Sequence, residues 1–407
     1  MGEHAAKTVL ITGPASGIGW AAAQRFAAAG WRCVLVDRNG GALDRLVLGL
    51  PATAGAPHLV RVADLTQPDQ IAALALGAPA LDAIINNAGM SDSSNVPLAE
   101  QDAAQLARLV ALNLDAPARV YAALARVLRP GARIVNVASG AGLHAIPWRG
   151  AYSPSKAGLI EQTKALARVR PELCVSALCP GFVRTELVET LIEAGRLDPA
   201  RAVEKTPIGR MADPAELAEA LFFLAGEGAP LSGQTLCVDG GSSVYGGSAA
   251  CTPTPFAPLP LDTPLRLNVI DDTAERWAGM GRDGERECYP ATLDASVLDA
   301  DPGKRLAAVH AAAVRFASRH AKQASLTLLL PHEADDADWH AAGDSGAARM
   351  LVATLACEWG ARALRINALA VNPQANAHTV TRLGPLVHFV AGAQAQFVTG
   401  QTWRAAD

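Results

Sequence analysis

A β-branched apolar run, Lys7-Thr-Val-Leu-Ile11, leads straight into Thr12-Gly13-Pro14-Ala15-Ser16-Gly17-Ile18-Gly19, and a helical stretch from Trp20 to Ala29 follows, closed by Gly30. Strand, glycine turn and helix in that order open a βαβ unit, which commits the chain to an α/β fold with a doubly wound parallel sheet of the Rossmann type. Gly13 permits the tight turn, Gly17 lets the backbone approach a pyrophosphate, and Gly19 lets the helix pack closely. The helix N-terminus then offers free amides to the anion. The next strand, Arg32-Cys-Val-Leu-Val36, ends at Asp37. A carboxylate there can accept both ribose hydroxyls of a dinucleotide and repels a 2′-phosphate, which favours NAD over NADP, although Arg38 beside it could turn toward that phosphate.

Further along, Tyr152 and Lys156 stand four positions apart, thirteen residues after Ser139. A phenol held beside an ammonium ionises more easily, so the tyrosine can exchange a proton with a substrate hydroxyl near neutral pH. An isolated Tyr-x-x-x-Lys is ordinarily two solvated residues on one helix face. Behind a dinucleotide turn, the pair reads as a reaction site.

With these motifs in place, residues 5–245 resemble the short-chain dehydrogenase/reductase family. The glycine pattern is Thr12 to Gly19, the acidic residue of the adenine pocket is Asp64 followed by Leu65, and the Asn-Asn-Ala-Gly motif is Asn86 to Gly89 after the strand 81–85. Asn113 in Ala-Leu-Asn-Leu, Ser139 at the end of the strand 133–138, Tyr152 and Lys156 are similar to the family's tetrad. Pro180-Gly181-Phe-Val-Arg-Thr185 matches the segment that grips the nicotinamide carboxamide through Val183 and Thr185, and Ser232 to Gly241 matches the last strand.

The resemblance implies hydride transfer between a nicotinamide coenzyme and a secondary alcohol or ketone. In it, Tyr152 is the acid/base, Ser139 steadies the developing oxyanion, and Lys156 lowers the tyrosine pKa and bonds the nicotinamide ribose. Asn113 kinks its helix and holds a water for proton relay. Ser16 and Ile18 join the glycines on the coenzyme, Ile18 as the nicotinamide floor, and Asn87, Ala88 and Gly89 line the adenosine-ribose side.

Composition bounds the rest. At 407 residues, half of them hydrophobic, the chain is long for one domain. A net charge of −4 with no Lys/Arg cluster gives no nucleic-acid footprint, and no apolar run approaches the ~18 residues a membrane span needs. Seven cysteines without paired spacing, and no signal-peptide h-region, lead us to expect reduced thiols in a cytoplasmic protein. Scattered His310, His332, His340, His378 and His388 lack ligand spacing, so no metal is expected.

The chain continues for about 160 residues past 245. Prolines at 253, 255, 258, 260 and 264 make 248–264 read as a semi-rigid linker between a catalytic domain, 1–247, and a second domain, 265–407. That second domain repeats the first in degenerate, truncated form. Met350 to Ala370 parallels the stretch from Leu159 to Leu178, Thr399-Gly-Gln-Thr402 parallels Ser232-Gly-Gln-Thr235, Ser325 to Leu330 echoes 133–138, and a helix from Pro302 to His320 echoes 103–128. In register, Tyr152 falls on Ala341, Lys156 on Ser345, and Asn113 near His310. No glycine turn follows Leu265 to Ile270, so the copy is expected to bind no dinucleotide. Its retained helices, around 303–320 and 345–360, would instead pack on the catalytic half as a built-in partner subunit, giving a homodimer that forms a pseudo-tetramer.

Substrate is the open question. Met90 and Ser91, the stretch from Ala141 through His144 to Trp148, and the mobile segment Arg184 to Arg210 with Leu187 should wall the pocket. Trp148 and Leu187 suit an apolar body, and His144, Arg184, Arg196 and Arg201 suit an acyl-CoA phosphate or a carboxylate, although surface arginines are more often merely solvated. A secondary alcohol, sterol-like or alicyclic, and a 3-hydroxyacyl thioester both fit, the latter reading making the enzyme an NADPH-dependent 3-oxoacyl-thioester reductase. A coenzyme-binding scaffold or redox-sensing regulator is the other class, against which the complete tetrad argues.

Overall fold

The computed structural model describes every residue except 1–5, 54–55, 93, 95, 194, 196–197, 285–286, 333–338 and 406–407, and every other side chain but those of residues 187, 191 and 339–341. The chain divides into two compact units, one of Met1–Glu193 with Asp213–Leu236, the other of Ala194–Ala212 with Cys237–Asp407.

The first unit begins with β1 (Thr8–Thr12), α1 (Gly17–Ala28), β2 (Arg32–Asp37), α2 (Gly40–Gly49), β3 (Leu59–Val62), α3 (Pro68–Ala73) and β4 (Leu81–Asn86). There follow α4 (Ala103–Val110), α5 (Ala116–Leu124), β5 (Leu128–Val137), α6 (Tyr152–Val169), β6 (Cys174–Pro180) and α7 (Glu186–Glu193). After α8 (Pro199–Val203), which belongs to the other unit, come α9 (Pro214–Gly226) and β7 (Thr235–Val238), at whose midpoint the division into units falls. The seven strands lie in the order β3-β2-β1-β4-β5-β6-β7. Central β1 is buried along its whole length and pairs in parallel with β2 on one side and β4 on the other, Val9 facing both Cys33 and Ala83. Because the strand order reverses at β1, a crevice opens beyond the carboxyl ends of β1 and β4, where ligands of doubly wound sheets bind. This is the expected Rossmann-type sheet.

The second unit holds its own sheet. Its elements are β8 (Leu265–Ile270), β9 (Tyr289–Asp294), α10 (Arg305–Arg319), β10 (Ala324–Pro331), α11 (Trp339–Trp359), β11 (Leu364–Val371), α12 (Ala377–Ala391) and β12 (Thr402–Arg404). Five parallel strands follow one another in chain order, β8 to β12. That is the order β1-β4-β5-β6-β7 of the larger sheet with β2 and β3 left out, which makes this a truncated Rossmann-like domain. Only a 3-10 turn, Ala278–Met280, stands among the described residues between β8 and β9 where the larger sheet has α1. α10 starts three residues later than the sequence suggests, because Asp344, far along the chain, accepts the amides of Gly303, Arg305 and Leu306 and sets the cap there. Arg365, buried on β11, donates to Tyr289 and to the carbonyls of Val390, Ala391, Gly392 and Val398. Its charge meets the C-terminus of α12, the negative end of that helix.

The Pro-rich stretch 248–264 lies within the second unit and is bonded down along its length. Cys251 donates its amide to Glu204 (2.9 Å), Ala257 accepts from the Gln323 side chain, and Leu259 exchanges two hydrogen bonds with Gln396.

Candidate active site

The turn between β1 and α1 is built so that only glycine fits. Gly13 has φ +66°, and a Cβ on it would lie 2.8 Å from the Ala88 Cα; one on Gly19 would lie 2.2 Å from the Gly13 carbonyl oxygen. Asn87 clamps the turn from the end of β4, donating its side-chain amide to the carbonyls of Thr12 and Gly13 at 3.1 and 3.0 Å. The Thr12 hydroxyl in turn accepts the amides of Asn87 and Ala88. Ser16, the residue before α1, makes no capping bond with its side chain, which leaves its hydroxyl and the first-turn amides facing the crevice. A phosphate held there would meet donors and the positive end of the helix. These residues fit the pyrophosphate of a dinucleotide.

A cleft of about 520 Å³ runs from this turn across the strand ends. At one end it is lined by Asp37, Arg38, Asp64, Leu65 and Thr66, at the other by Ser139, Tyr152, Lys156, Pro180, Gly181, Val183 and Thr185, with Gly13, Ser16, Gly17, Ile18 and the Asn87–Gly89 backbone between them. The sequence assignments are thus brought together in one place. Asp37 closes β2 and accepts the amides of Ala15 (3.3 Å) and Asn39 (2.9 Å), so its carboxylate is fixed at the rim. Asp64 is held well charged, chiefly by the Thr66 amide and hydroxyl and to a smaller degree by the Arg38 guanidinium.

At the reacting end, Tyr152 begins α6 and Lys156 lies one turn on, while Ser139 follows β5 and accepts the Ala141 amide at 3.1 Å. The Ser139 hydroxyl bonds the Tyr152 phenol. Burial pushes the phenol above its ordinary value, and the Ser139 bond pulls against that. The Lys156 nitrogen lies 6.0 Å from the tyrosine ring centroid and donates to the Val137 carbonyl at 2.8 Å. The expected lowering of the tyrosine pKa by Lys156 is therefore not expressed in the protein by itself: the ammonium points at a backbone carbonyl, and desolvation is the larger effect on both groups.

Asn113 sits behind this pair in a π-helical turn, Ala111–Asp115, that interrupts the path from α4 to α5, a feature common at functional sites. Its side chain is fully engaged with the amide and carbonyl of Met90 and with Ser155. Asn113 and Lys156 approach each other across Gly89, where an added Cβ would be 3.2 Å from each.

Of the residues expected to meet substrate, Met90 and Ser91 line the cleft. Ala141 is buried under Ser139, and His144 and Trp148 lie on the exposed stretch after it, Trp148 with φ +65° and 55 % exposed, outside the lining of the cleft. The side chain of Leu187 and all of Arg196 fall outside the described residues; Arg184 pairs with Glu189 and Arg201 with Asp198. Phe182 and Val188, inside the segments 180–185 and 184–210 singled out above, also line the cleft, whereas sequence reasoning missed Asp92, which steadies the loop after β4 by accepting from Ser94, Gln101 and Gln105. Asp92 belongs to none of the motifs above, although its partners stand only two, nine and thirteen positions further on. Among the described residues no group of three or more His, Cys, Asp or Glu is arranged to hold a metal, and no helix is long and apolar enough to cross a membrane.

Burial brings Lys156 from 10.5 down to about 8. Between those values the unfolded chain binds a proton that the folded chain does not, so stability rises with pH through that window and this contribution is lost as pH falls through 8. Lys156→Met should therefore raise the unfolding temperature of the coenzyme-free protein at neutral pH, and the gain should shrink as the pH approaches 10.5. Thermal melts across that range check it; an unfolding temperature at neutral pH no higher than that of the parent would contradict the assignment of a buried, charged lysine.

Residues 13–243 match the family model described as enoyl-(acyl carrier protein) reductase. An uncharacterized short-chain type dehydrogenase/reductase, y4vI of Sinorhizobium fredii, is 39 % identical over 242 residues, which is 58 % of this chain but only 43 % of that protein's length. Cis-4-hydroxycyclohexanecarboxylate dehydrogenase of Sinomonas cyclohexanicum is 37 % identical over 59 % of this chain and 98 % of its own. A solved structure of a short chain dehydrogenase/reductase family protein superposes with a TM-score of 0.50 at 32 % identity, covering 59 % of this chain and 98 % of that one. The chain belongs to the short-chain dehydrogenase/reductase family. It is an oxidoreductase of CH–OH groups that works with a nicotinamide coenzyme on small-molecule substrates.

Proposed function

We propose that residues 1–247 form the catalytic domain of an NAD-preferring dehydrogenase of secondary alcohols, with Asn113, Ser139, Tyr152 and Lys156 as its reacting group. The observation that carries this reading is the joint placement of the glycine turn, Asp37 and the Ser139–Tyr152–Lys156 group along one cleft. Bound there, the coenzyme supplies a hydride acceptor or donor. The chain's own part is proton handling and orientation. Tyr152 must first give up its own proton; as the phenolate it takes the hydroxyl proton of the alcohol and returns to the neutral phenol as the carbinol becomes a carbonyl, Ser139 donates to the same oxygen, and the positive charge of Lys156 favours the phenolate. Asn113, bound to Met90 and Ser155, positions the wall behind Lys156.

Preference for NAD follows from charge. Asp37 and Asp64 both stand beside Arg38, so a 2′-phosphate would face two carboxylates for one guanidinium. Titration of the reduced coenzymes by fluorescence should show NADH binding at least about tenfold more tightly than NADPH, the equivalent of ~1.4 kcal/mol of charge repulsion. Tighter binding of NADPH would mean that Arg38 decides the choice.

An alicyclic alcohol carrying a carboxylate is the substrate class we favour, as the relative named for a hydroxycyclohexanecarboxylate is 37 % identical. A 3-hydroxyacyl thioester is the second reading, favoured by the family model's description. Residues 265–407 we take as a catalytically inactive copy joined through 248–264. Leu306, Val314 and Met350, 40, 54 and 65 % exposed on α10 and α11, suit a homodimer in which those helix faces are covered, two chains forming a pseudo-tetramer. Thr185 and Val188, just before and within α7, line the cleft, and we read them as part of its substrate wall.

A further inference from the structure

We propose that Asp92 is a positioning residue for Tyr152: its carboxylate is the seat on which the 149–151 turn rests, and that turn sets where α6 brings the phenol beside Ser139. This rests on the reading of Tyr152 as the acid/base. α6 begins at Tyr152 without a side-chain cap, since the residue before it is Ala151. The turn in front of the helix therefore decides where it starts. The Tyr152 amide donates to the Arg149 carbonyl at 3.1 Å, and the Ser155 amide to that of Ala151 at 2.9 Å. Between Arg149 and Ala151 stands Gly150, buried and in the left-handed region at φ +55°. A Cβ on Gly150 would lie 2.9 Å from Asp92 Oδ2, 3.2 Å from the Asp92 Cβ and 2.7 Å from Gln101 Oε1. The carboxylate lies directly against the Gly150 backbone, two residues ahead of the phenol.

Asp92 is itself held from several sides. It is 6 % exposed, and its carboxylate accepts from the amide and hydroxyl of Ser94 at 2.9 Å each, from the Gln105 side chain on α4 at 2.9 Å and from that of Gln101 at 2.5 Å. Those donors are all uncharged, so the negative charge is kept, and it stands at the N-terminal end of α6, the positive end of that helix. The Asp92 carbonyl accepts from the Arg149 guanidinium at 3.3 Å, a second tie to the same turn. Gln101 gives its amide hydrogens to Asp92 and to the Val96 carbonyl, and its Oε1, buried against Gly150, has no partner among the described residues. A carboxylate that served only to close its own loop would need the Ser94 bonds alone. This one also gathers the side chains of Gln101 and Gln105 and meets the glycine that leads into α6.

The test uses the full-length chain with Asp92→Ala, Asp92→Asn, Gly150→Ala and the double variant Asp92→Ala/Gly150→Ala. KM and kcat are read with the best alcohol from a coenzyme-reduction screen, NADH affinity by fluorescence, and hydrogen–deuterium exchange over 149–156. We expect Asp92→Ala and Gly150→Ala each to lower kcat about tenfold, with KM changed less and NADH affinity within about twofold of the parent, because a displaced phenol loses the reacting geometry while the glycine turn keeps the coenzyme. Exchange over 149–156 should quicken in both. Asp92→Asn keeps the shape and offers a donor to Gln101 Oε1, so it should recover most of the rate lost in the Ala variant. The double variant should lose clearly less than the product of the two single losses, since removing the carboxylate makes room for the added methyl. A kcat unchanged by Asp92→Ala, an NADH affinity that falls as far as kcat, no recovery in Asp92→Asn, or single losses that simply multiply overturns the proposal. If Asp92→Ala does not fold, Gln105→Met, which withdraws one donor from the carboxylate, is judged by the same split of kcat from affinity. A parent protein that turns over no alcohol or ketone defeats the dehydrogenase reading instead, and the exchange rates still decide whether Asp92 holds the turn.

Discussion

Tyr152→Phe should reduce turnover by about three orders of magnitude while leaving NADH affinity within about twofold of the parent, since general acid–base catalysis supplies roughly 10²–10⁴ in rate and the phenol oxygen is all that is removed. The ring stays to fill its place at the start of α6, and Ser139 keeps its bond to the Ala141 amide, so the fold has no reason to change. Lys156→Ala should differ in kind. It removes the ammonium from the Val137 carbonyl and from the coenzyme side of the cleft together, so affinity and turnover should both fall. Steady-state rates and coenzyme titration separate the two variants. A Phe variant that keeps more than about a tenth of the activity would overturn the acid/base assignment.

Removing everything after Gly247 should yield protein that is insoluble or re-associates, with no measurable turnover. The cut discards the partners of Pro207, Gly209 and Gly240, and it discards Gln401, whose side chain satisfies both the amide and the carbonyl of Cys237 at 2.8 and 2.6 Å. Unpaired backbone on a strand edge and uncovered apolar side chains such as Ile208 and Val238 favour aggregation. Size-exclusion chromatography with light scattering checks the outcome. A truncated chain that stays monomeric and fully active would show that the C-terminal half is dispensable. The full chain should bind one dinucleotide by calorimetry, because β8 runs into Asp271 and Asp272 without a glycine turn, and Asp272 is tied to Arg276. Two coenzymes per chain would contradict an inactive second sheet.

The glycine turn, the acidic end of β2 and the Ser-Tyr-Lys spacing were readable because each depends on residues close in sequence, with geometry that few other residue types permit. The truncated second sheet was readable through its echo of the first, down to the Thr-Gly-Gln-Thr entry to β12. Features made by distant partners were not readable. Asp344 caps α10 across some forty positions, Arg365 finds its carbonyls only once α12 is packed, and the 204–210 stretch has no sequence mark of its attachment to Gly360 and Phe397. The Pro-rich stretch, which composition makes look like a spacer, is instead bonded along its length, since proline's fixed φ lets an extended chain lie against a surface at little entropic cost. Trp148 and His144 looked like pocket walls by position after Ser139, yet the chain turns outward there through a positive φ at Trp148.

The most direct test of a coenzyme-dependent dehydrogenase is a screen of secondary alcohols and 3-hydroxyacyl thioesters with NAD and with NADP, followed by the near-ultraviolet absorbance of reduced nicotinamide, in parent and Tyr152→Phe protein side by side. Reduction of NAD by at least one alicyclic alcohol in the parent, faster than with NADP and lost in the Phe variant, is the predicted result. Tight NADH binding with no turnover of any alcohol or ketone in either direction, and no difference between parent and variant, would contradict it and leave a coenzyme-binding scaffold in its place.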